Sequence, residues 1–181
     1  LSALQLKMGL LFPFLGMGLS VGILAECVKV FMSKEKQWTR SNTINAGFNL
    51  IIFGILGVFT NYFYIFQEYL FGNGTSWQAL IPKVLFDQFV WTVFLANPYQ
   101  TILYLWKNEG FSSKKVFSQM RPFKPFWGTQ ILPVLITNWA FWIPMVTIIY
   151  SFPAELQLPL AILSVTIWVV ILSILTSRKH E

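Results

Sequence analysis

The charged residues of this sequence leave five long uncharged stretches, residues 8–25, 41–67, 88–106, 125–154 and 156–177. A helix needs about 20 mostly apolar residues to cross a hydrocarbon core roughly 30 Å thick, and ~17 suffice at the short end. Each stretch meets that length. Lipid offers no partner to a backbone N–H or C=O, and the runs lack the short alternation of barrel strands, so helices are the economical way to fill them. The expectation is an all-α integral membrane helical bundle in one domain over residues 1–181. About five transmembrane helices are expected near 8–31, 43–66, 86–106, 129–150 and 156–177. Four spans plus a re-entrant or interfacial helix is the alternative. Composition agrees, since 11% of the residues are charged where a soluble domain carries about 25%. Residues 69–82 are also uncharged, but Gly72-Asn73-Gly74 and Pro82 punctuate them as a loop.

Loop charge tests the count. Five crossings gather Lys34, Lys36, Arg40, Lys107, Lys114, Lys115, Arg121, Lys124, Arg178 and Lys179 on one side, leaving Lys7 and Lys83 on the other and Lys29 near the end of the first span. Such an excess marks the cytoplasmic or matrix-type face. The N-terminus then faces the charge-poor side and, in a mitochondrial membrane, the C-terminus the matrix. The net charge of +6 follows from topology. The cations are dispersed over loop ends with no binding fold around them, so nucleic acid is not an expected partner. Trp38, Tyr62, Tyr64, Tyr69, Trp77, Trp106 and Trp127 fall near span ends, as interfacial anchors do. In the basic loop 107–128, Val116, Phe117 and Met120 share one helical face that the lysines avoid, which predicts a short helix on the headgroups. Lys114, Lys115, Arg121 and Lys124 would then meet anionic lipid such as cardiolipin. An unstructured basic loop is the alternative.

Gly18 and Gly22 form a GxxxG pair, and Gly47, Gly54 and Gly57 recur in the second span. Small residues let helix backbones approach, here within one chain before between two. Pro133 and Pro144 predict a bent fourth span. One cysteine, Cys27, and one histidine, His180, are too few for disulfide frameworks or metal sites, and no Walker loop or nucleophile elbow is present. Neither an enzyme nor a cofactor is expected. The chain opens on Leu1 rather than Met, which points to processing or to residues ahead of it and leaves a targeting segment unjudged.

The remaining chemistry lies in polar residues at membrane depth. Glu26 lies three residues before Lys29, a spacing that pairs them on one helix face or lets both snorkel to the basic surface. Asp87 and Gln88 enter the third span, Asn97 and Gln100 follow, the second carries Asn45, Asn49 and Asn61, and the fourth carries Asn138. Glu26, Asp87, Gln88, Asn97 and Asn138 are the candidates for a polar seam or solute pathway. Amides that join helices by hydrogen bonds are the alternative.

Two stretches bring a family into view. Lys83-Val84-Leu85-Phe86-Asp87-Gln88 resembles a K-x-x-x-D-Q signature, and Asn138-Trp139-Ala140-Phe141-Trp142-Ile143-Pro144 resembles N-W-x-x-W-P-P. Both belong to the Mpv-seventeen/peroxisomal membrane protein family. Gly57 with Phe63-Tyr64, Pro133 ahead of Asn138, and Trp168 ahead of Ser173 extend the resemblance over almost the whole chain. Val58 and Asn61 stand where the family has its Pro-His pair, and Gly22 and Glu26 stand near its G-D-x-x-x-Q, so the chain resembles a divergent member. The resemblance implies a small protein of the mitochondrial inner membrane, or alternatively of the peroxisome, acting as a weakly selective channel for small metabolites. The competing reading is a non-catalytic accessory subunit that docks on other membrane proteins and lipid.

Overall fold

A computed structural model describes residues 2–177, with side chains from Leu4 to Val170. His180, Arg178 and Lys179, which entered the reading above, lie outside the described residues, as does the Ser173 side chain. Every regular element among the described residues is helical. We number them α1 (Ser2–Met8), α2 (Leu11–Met32), α3 (Arg40–Phe71), α4 (Trp77–Asn108), α5 (Ser113–Gln119), α6 (Phe123–Tyr150) and α7 (Ala154–Ser177). Among the described residues, α2, α3, α4 and α6 are long and apolar enough to cross a membrane, whereas α7 has an apolar stretch of 17 residues, Ala154–Val170. These four helices are compatible with an integral membrane protein.

The helices outrun the uncharged stretches. At 1.5 Å per residue the 32 residues of α3 and of α4 reach about 48 Å, beyond a ~30 Å core and through the polar zones around it. Charges such as Arg40, Glu68, Lys107 and Lys124 therefore sit on terminal turns. The expected loop at 69–82 is corrected accordingly: only residues 72–76 separate α3 from α4, and Pro82 lies inside α4. Proline there removes one backbone donor, and the helix runs on through it. Thr39 starts α3 with a capping box, in which Asn42 N–H donates to Thr39 Oγ1 (3.4 Å) and Thr39 N–H to Asn42 Oδ1 (2.9 Å). Gly72, at φ 78°, ends it.

Two compact units form. The first takes residues 1–75 and 149–181, the second residues 76–148.

In the first unit α2 and α3 run antiparallel with their backbones in contact. A Cβ on Gly18 would stand 2.6 Å from Leu50 O, and one on Gly22 2.8 Å from both Ala46 O and Leu50 N. From the other side, Gly54 faces the Phe14 ring at 2.7 Å, and Gly57 lies against Pro13 O. The GxxxG pair thus packs within the chain. Against the same α2, α7 runs parallel: a Cβ on Gly16 would meet Ile162 Cδ1 at 2.6 Å, and four residues further along both helices Thr166 Oγ1 donates to Ser20 Oγ at 2.8 Å.

In the second unit α4 and α6 run antiparallel. Trp139 Nε1–H of α6 donates to Gln88 O of α4 at 3.0 Å, and Asn97 Nδ2 of α4 reaches Ile131 O of α6 at a long 3.5 Å. Phe126, Ile131 and Leu135 form a core with Val93, Ile102, Leu105 and Met120 around them. The α6 helix stays continuous through Pro133 and Pro144. Many large apolar side chains face outward, among them Ile51, Phe59 and Ile65 on α3, Phe94 on α4, Ile136 on α6 and Leu163 on α7. Soluble monomers rarely expose so much apolar surface, and such a surface is compatible with lipid around it.

Candidate functional site

Among the described residues, three helices contain π-helical segments: Ser20–Leu24 in α2, Asp87–Ala96 in α4 and Trp127–Ile131 in α6. The one in α4 is ten residues long and reorders that helix's polar groups. Hydrogen bonds in a π-helix run from residue i to i+5, as Asn97 N–H bonding Thr92 O shows. Residues five apart then lie over one another, so Asp87, Thr92 and Asn97 share a face. All three are buried, as are Gln88 and Lys83 one turn before Asp87. Lys83, assigned above to a loop on the charge-poor side, is 1% exposed and lies within the helix. Asp87 and Gln88 sit ten and eleven residues past the start of α4 rather than at its mouth.

Local chemistry fixes the Gln88 amide. Its Nε2 donates to Asp87 Oδ1 at 2.7 Å, and because a carboxylate only accepts, the amide carbonyl must point away. That Oε1 is buried without a hydrogen-bond partner. A buried acceptor left unfilled costs ~1–3 kcal/mol, which a donor group on a small molecule would recover. The Trp139 ring, 5.2 Å from Phe89, closes one side, and its N–H is already committed to Gln88 O.

The other candidates divide between the units. Asn97 joins the α4 face, and Thr101 Oγ1 donates to its Oδ1 at 3.3 Å. Asn138 is half-buried beside Trp139; Trp142 is half-buried too, and Pro144 is exposed. Trp168, half-buried on α7, belongs to the first unit. So does Glu26, which is fully buried. One Glu26 oxygen accepts from Lys29 Nζ at 2.6 Å and the other from Asn42 Nδ2 of α3 at 2.9 Å. Glu26 therefore latches α2 to α3 at the basic end, while Lys29 extends toward solvent with 46% of its side chain exposed. Cys27 is exposed. Lys114, Lys115, Arg121 and Lys124 are exposed around α5. The expected face on α5 needs correction: Val116 is buried and Met120 packs on the Phe126 core, but Phe117 is 65% exposed. Thr92 was missed because a 3.6-residue period does not align it with Asp87. Its one sequence signal is the five-residue spacing from Asp87 to Thr92 to Asn97.

Comparison with protein-family models, curated proteins and solved structures gave no match.

Proposed function

We propose that this chain is a membrane protein of five crossing helices that passes small polar solutes with weak selectivity along the α4 face of Asp87, Gln88, Thr92 and Asn97. The observation that carries this reading is the burial of Lys83, Asp87 and Gln88, at 1%, 5% and 1% exposure, well inside an apolar 32-residue helix. Ionisable groups at membrane depth are expensive, and where they persist they mark substrate or ion pathways. The long π segment supports it, since such irregular turns recur at functional sites. A fifth crossing is supported by the parallel run of α7 along α2, because two parallel neighbours cross in the same sense and an odd number of crossings delivers that. The resemblance to the Mpv-seventeen/peroxisomal membrane protein family supports the channel class. It also favours the mitochondrial inner membrane, with the peroxisomal membrane second.

The test is flux. Purified protein in liposomes is expected to admit a neutral polyol and an inorganic ion, with Asp87→Asn and Gln88→Leu changing the rate several-fold. Liposomes as tight as protein-free controls would refute the reading.

A second reading, an accessory subunit, rests on α6, whose most apolar window is only 17% buried. That leaves a face for another membrane protein. Gentle extraction separates the two: a subunit migrates only with a larger assembly and is lost when that assembly dissociates.

A further inference from the structure

Between the end of α4 and the start of α6, exposed aromatic and cationic residues alternate along the chain. The α4 helix stops at Asn108; Gly110 (φ 65°) and Phe111 (φ 63°) reverse the chain, and Phe111 packs edge-on against Trp106 at 4.9 Å. The seven-residue α5 is pinned from below by buried Val116 and from the side by Gln119 Nε2, which donates to Glu109 Oε1 at 2.7 Å. With Val116 turned inward, the outward face carries Lys114 and Phe117, three residues apart and so adjacent. Phe111, Phe117 and Phe123 are 48%, 65% and 62% exposed. Lys114, Lys115, Arg121 and Lys124 are exposed among them. Lys115 is 3.5 Å from Glu109; Lys114, Arg121 and Lys124 make no ion pair among the described residues.

From this placement we infer that residues 111–124 form a binding surface for anionic phospholipid, with the three phenylalanines entering the acyl boundary and Lys114, Arg121 and Lys124 meeting the phosphates. An acidic protein would satisfy the cations but gives no reason for three separate rings to stand out beside them. A lipid interface needs both, because its apolar and charged layers lie within one side-chain length of each other. Pinning Val116 inward matters as well. A free amphipathic helix must fold on the membrane, whereas this one is already held by α4. The inference rests on the membrane reading above, though not on solute passage.

The test uses the full chain in detergent, titrated with phosphatidylglycerol or phosphatidylcholine and followed by thermal unfolding and by the lipid retained on purification. Phosphatidylglycerol is expected to raise the melting temperature at doses where phosphatidylcholine does not. The variant K114A/K115A/R121A/K124A, altered only at exposed positions, is expected to need at least about tenfold more phosphatidylglycerol for the same shift. Phe117→Ala with Phe123→Ala is expected to lower retention of both lipids. Equal responses to the two lipids in the wild type, or an unchanged response in the quadruple variant, would overturn the inference. An alkaline wash of native membranes keeps the two readings apart. Wild-type protein that stays in the pellet without preferring anionic lipid defeats this surface alone, whereas protein released by the wash defeats the membrane reading and this surface with it.

Discussion

Adding one methyl group at Gly22 tests the way the first unit is held together. A Cβ there meets Ala46 O and Leu50 N at 2.8 Å and Leu50 Cα at 3.0 Å. These are backbone atoms that no rotamer change can move. To reach ordinary van der Waals separation α3 must retreat by about 0.6 Å, and a gap of that size forfeits a quarter to a half of each neighbouring atom contact. The retreat propagates along the antiparallel contact, since Gly18 and Gly57 hold the same two backbones together. Overpacking of this kind costs ~1–3 kcal/mol. Working against it, alanine in place of glycine favours a helix by up to about 1 kcal/mol. Gly47 isolates that second term, because a Cβ there has nothing within 4 Å. The measured quantity is therefore the difference between Gly22→Ala and Gly47→Ala, followed by reversible unfolding in mixed micelles. We expect Gly22→Ala to be less stable than Gly47→Ala by ~1–3 kcal/mol, with Gly54→Ala between them because its obstacle is the Phe14 ring, a side chain that can turn. Equal stability of the Gly22 and Gly47 variants would refute backbone contact between α2 and α3.

The Glu26 latch makes a ranking prediction: Asn42→Ala, which removes both the hydrogen bond to a buried carboxylate and the Thr39 capping-box partner, is expected to cost ~1.5–3 kcal/mol, and Lys29→Ala less than about 1 because its ammonium is half in solvent. Unfolding of the two single variants checks the order, and a larger loss in Lys29→Ala would contradict it. Trp139→Phe keeps the ring but removes the N–H to Gln88 O, so stability should fall by ~0.5–1.5 kcal/mol; an unchanged midpoint would mean that bond contributes nothing. Single cysteines at Lys36, Asn73 and Phe117 in a Cys27→Ser background test the crossings, with Lys36 and Phe117 expected to label from one side of sealed vesicles and Asn73 from the other. The sequon Asn73-Gly74-Thr75 lies in the short loop between α3 and α4, so glycosylation of Asn73 would place that loop in a secretory lumen and remove the mitochondrial assignment.

The helical class and the approximate stretches of α2, α3, α4 and α6 were legible because charge-free apolar runs of about 20 residues have the length and composition of spanning helices. The ends were not. Charges such as Arg40 and Lys107 stand on terminal helical turns, so uncharged gaps understate how far a helix continues. Lys83 misled for the same reason: a lysine next to Pro82 and downstream of two glycines looks like a loop cation, and only the continuous helix shows it to be buried. For Glu26, pairing with Lys29 was one of the two readings that their spacing left open, the other being that both snorkel to the surface. Asn42, sixteen residues away, becomes its partner only through the antiparallel register that Gly18 and Gly22 allow. Phe117 was placed on the wrong face because hydrophobicity alone does not say which of two adjacent apolar residues the core will take.

The two units illustrate opposite ways of joining apolar helices, and the contrast bears on where the proposed solutes would pass. In the first unit glycines bring α2 and α3 into backbone contact, which leaves no room between them for water or a solute. In the second, the contacts between α4 and α6 are made by large side chains reaching across, such as Trp139 to Gln88 O and Asn97 to Ile131 O. The proposed pathway would use the α4 side chains Asp87, Gln88, Thr92 and Asn97, all buried and brought toward one side by the π segment. A regular α-helix of the same length would undo this, since at about 100° per residue Thr92 would stand about 140° from Asp87. Thr92→Val, which removes the hydroxyl that the π segment brings to this side, is therefore expected to lower flux several-fold while the far-UV circular dichroism stays helical. Full flux in that variant would mean the aligned face is not the pathway.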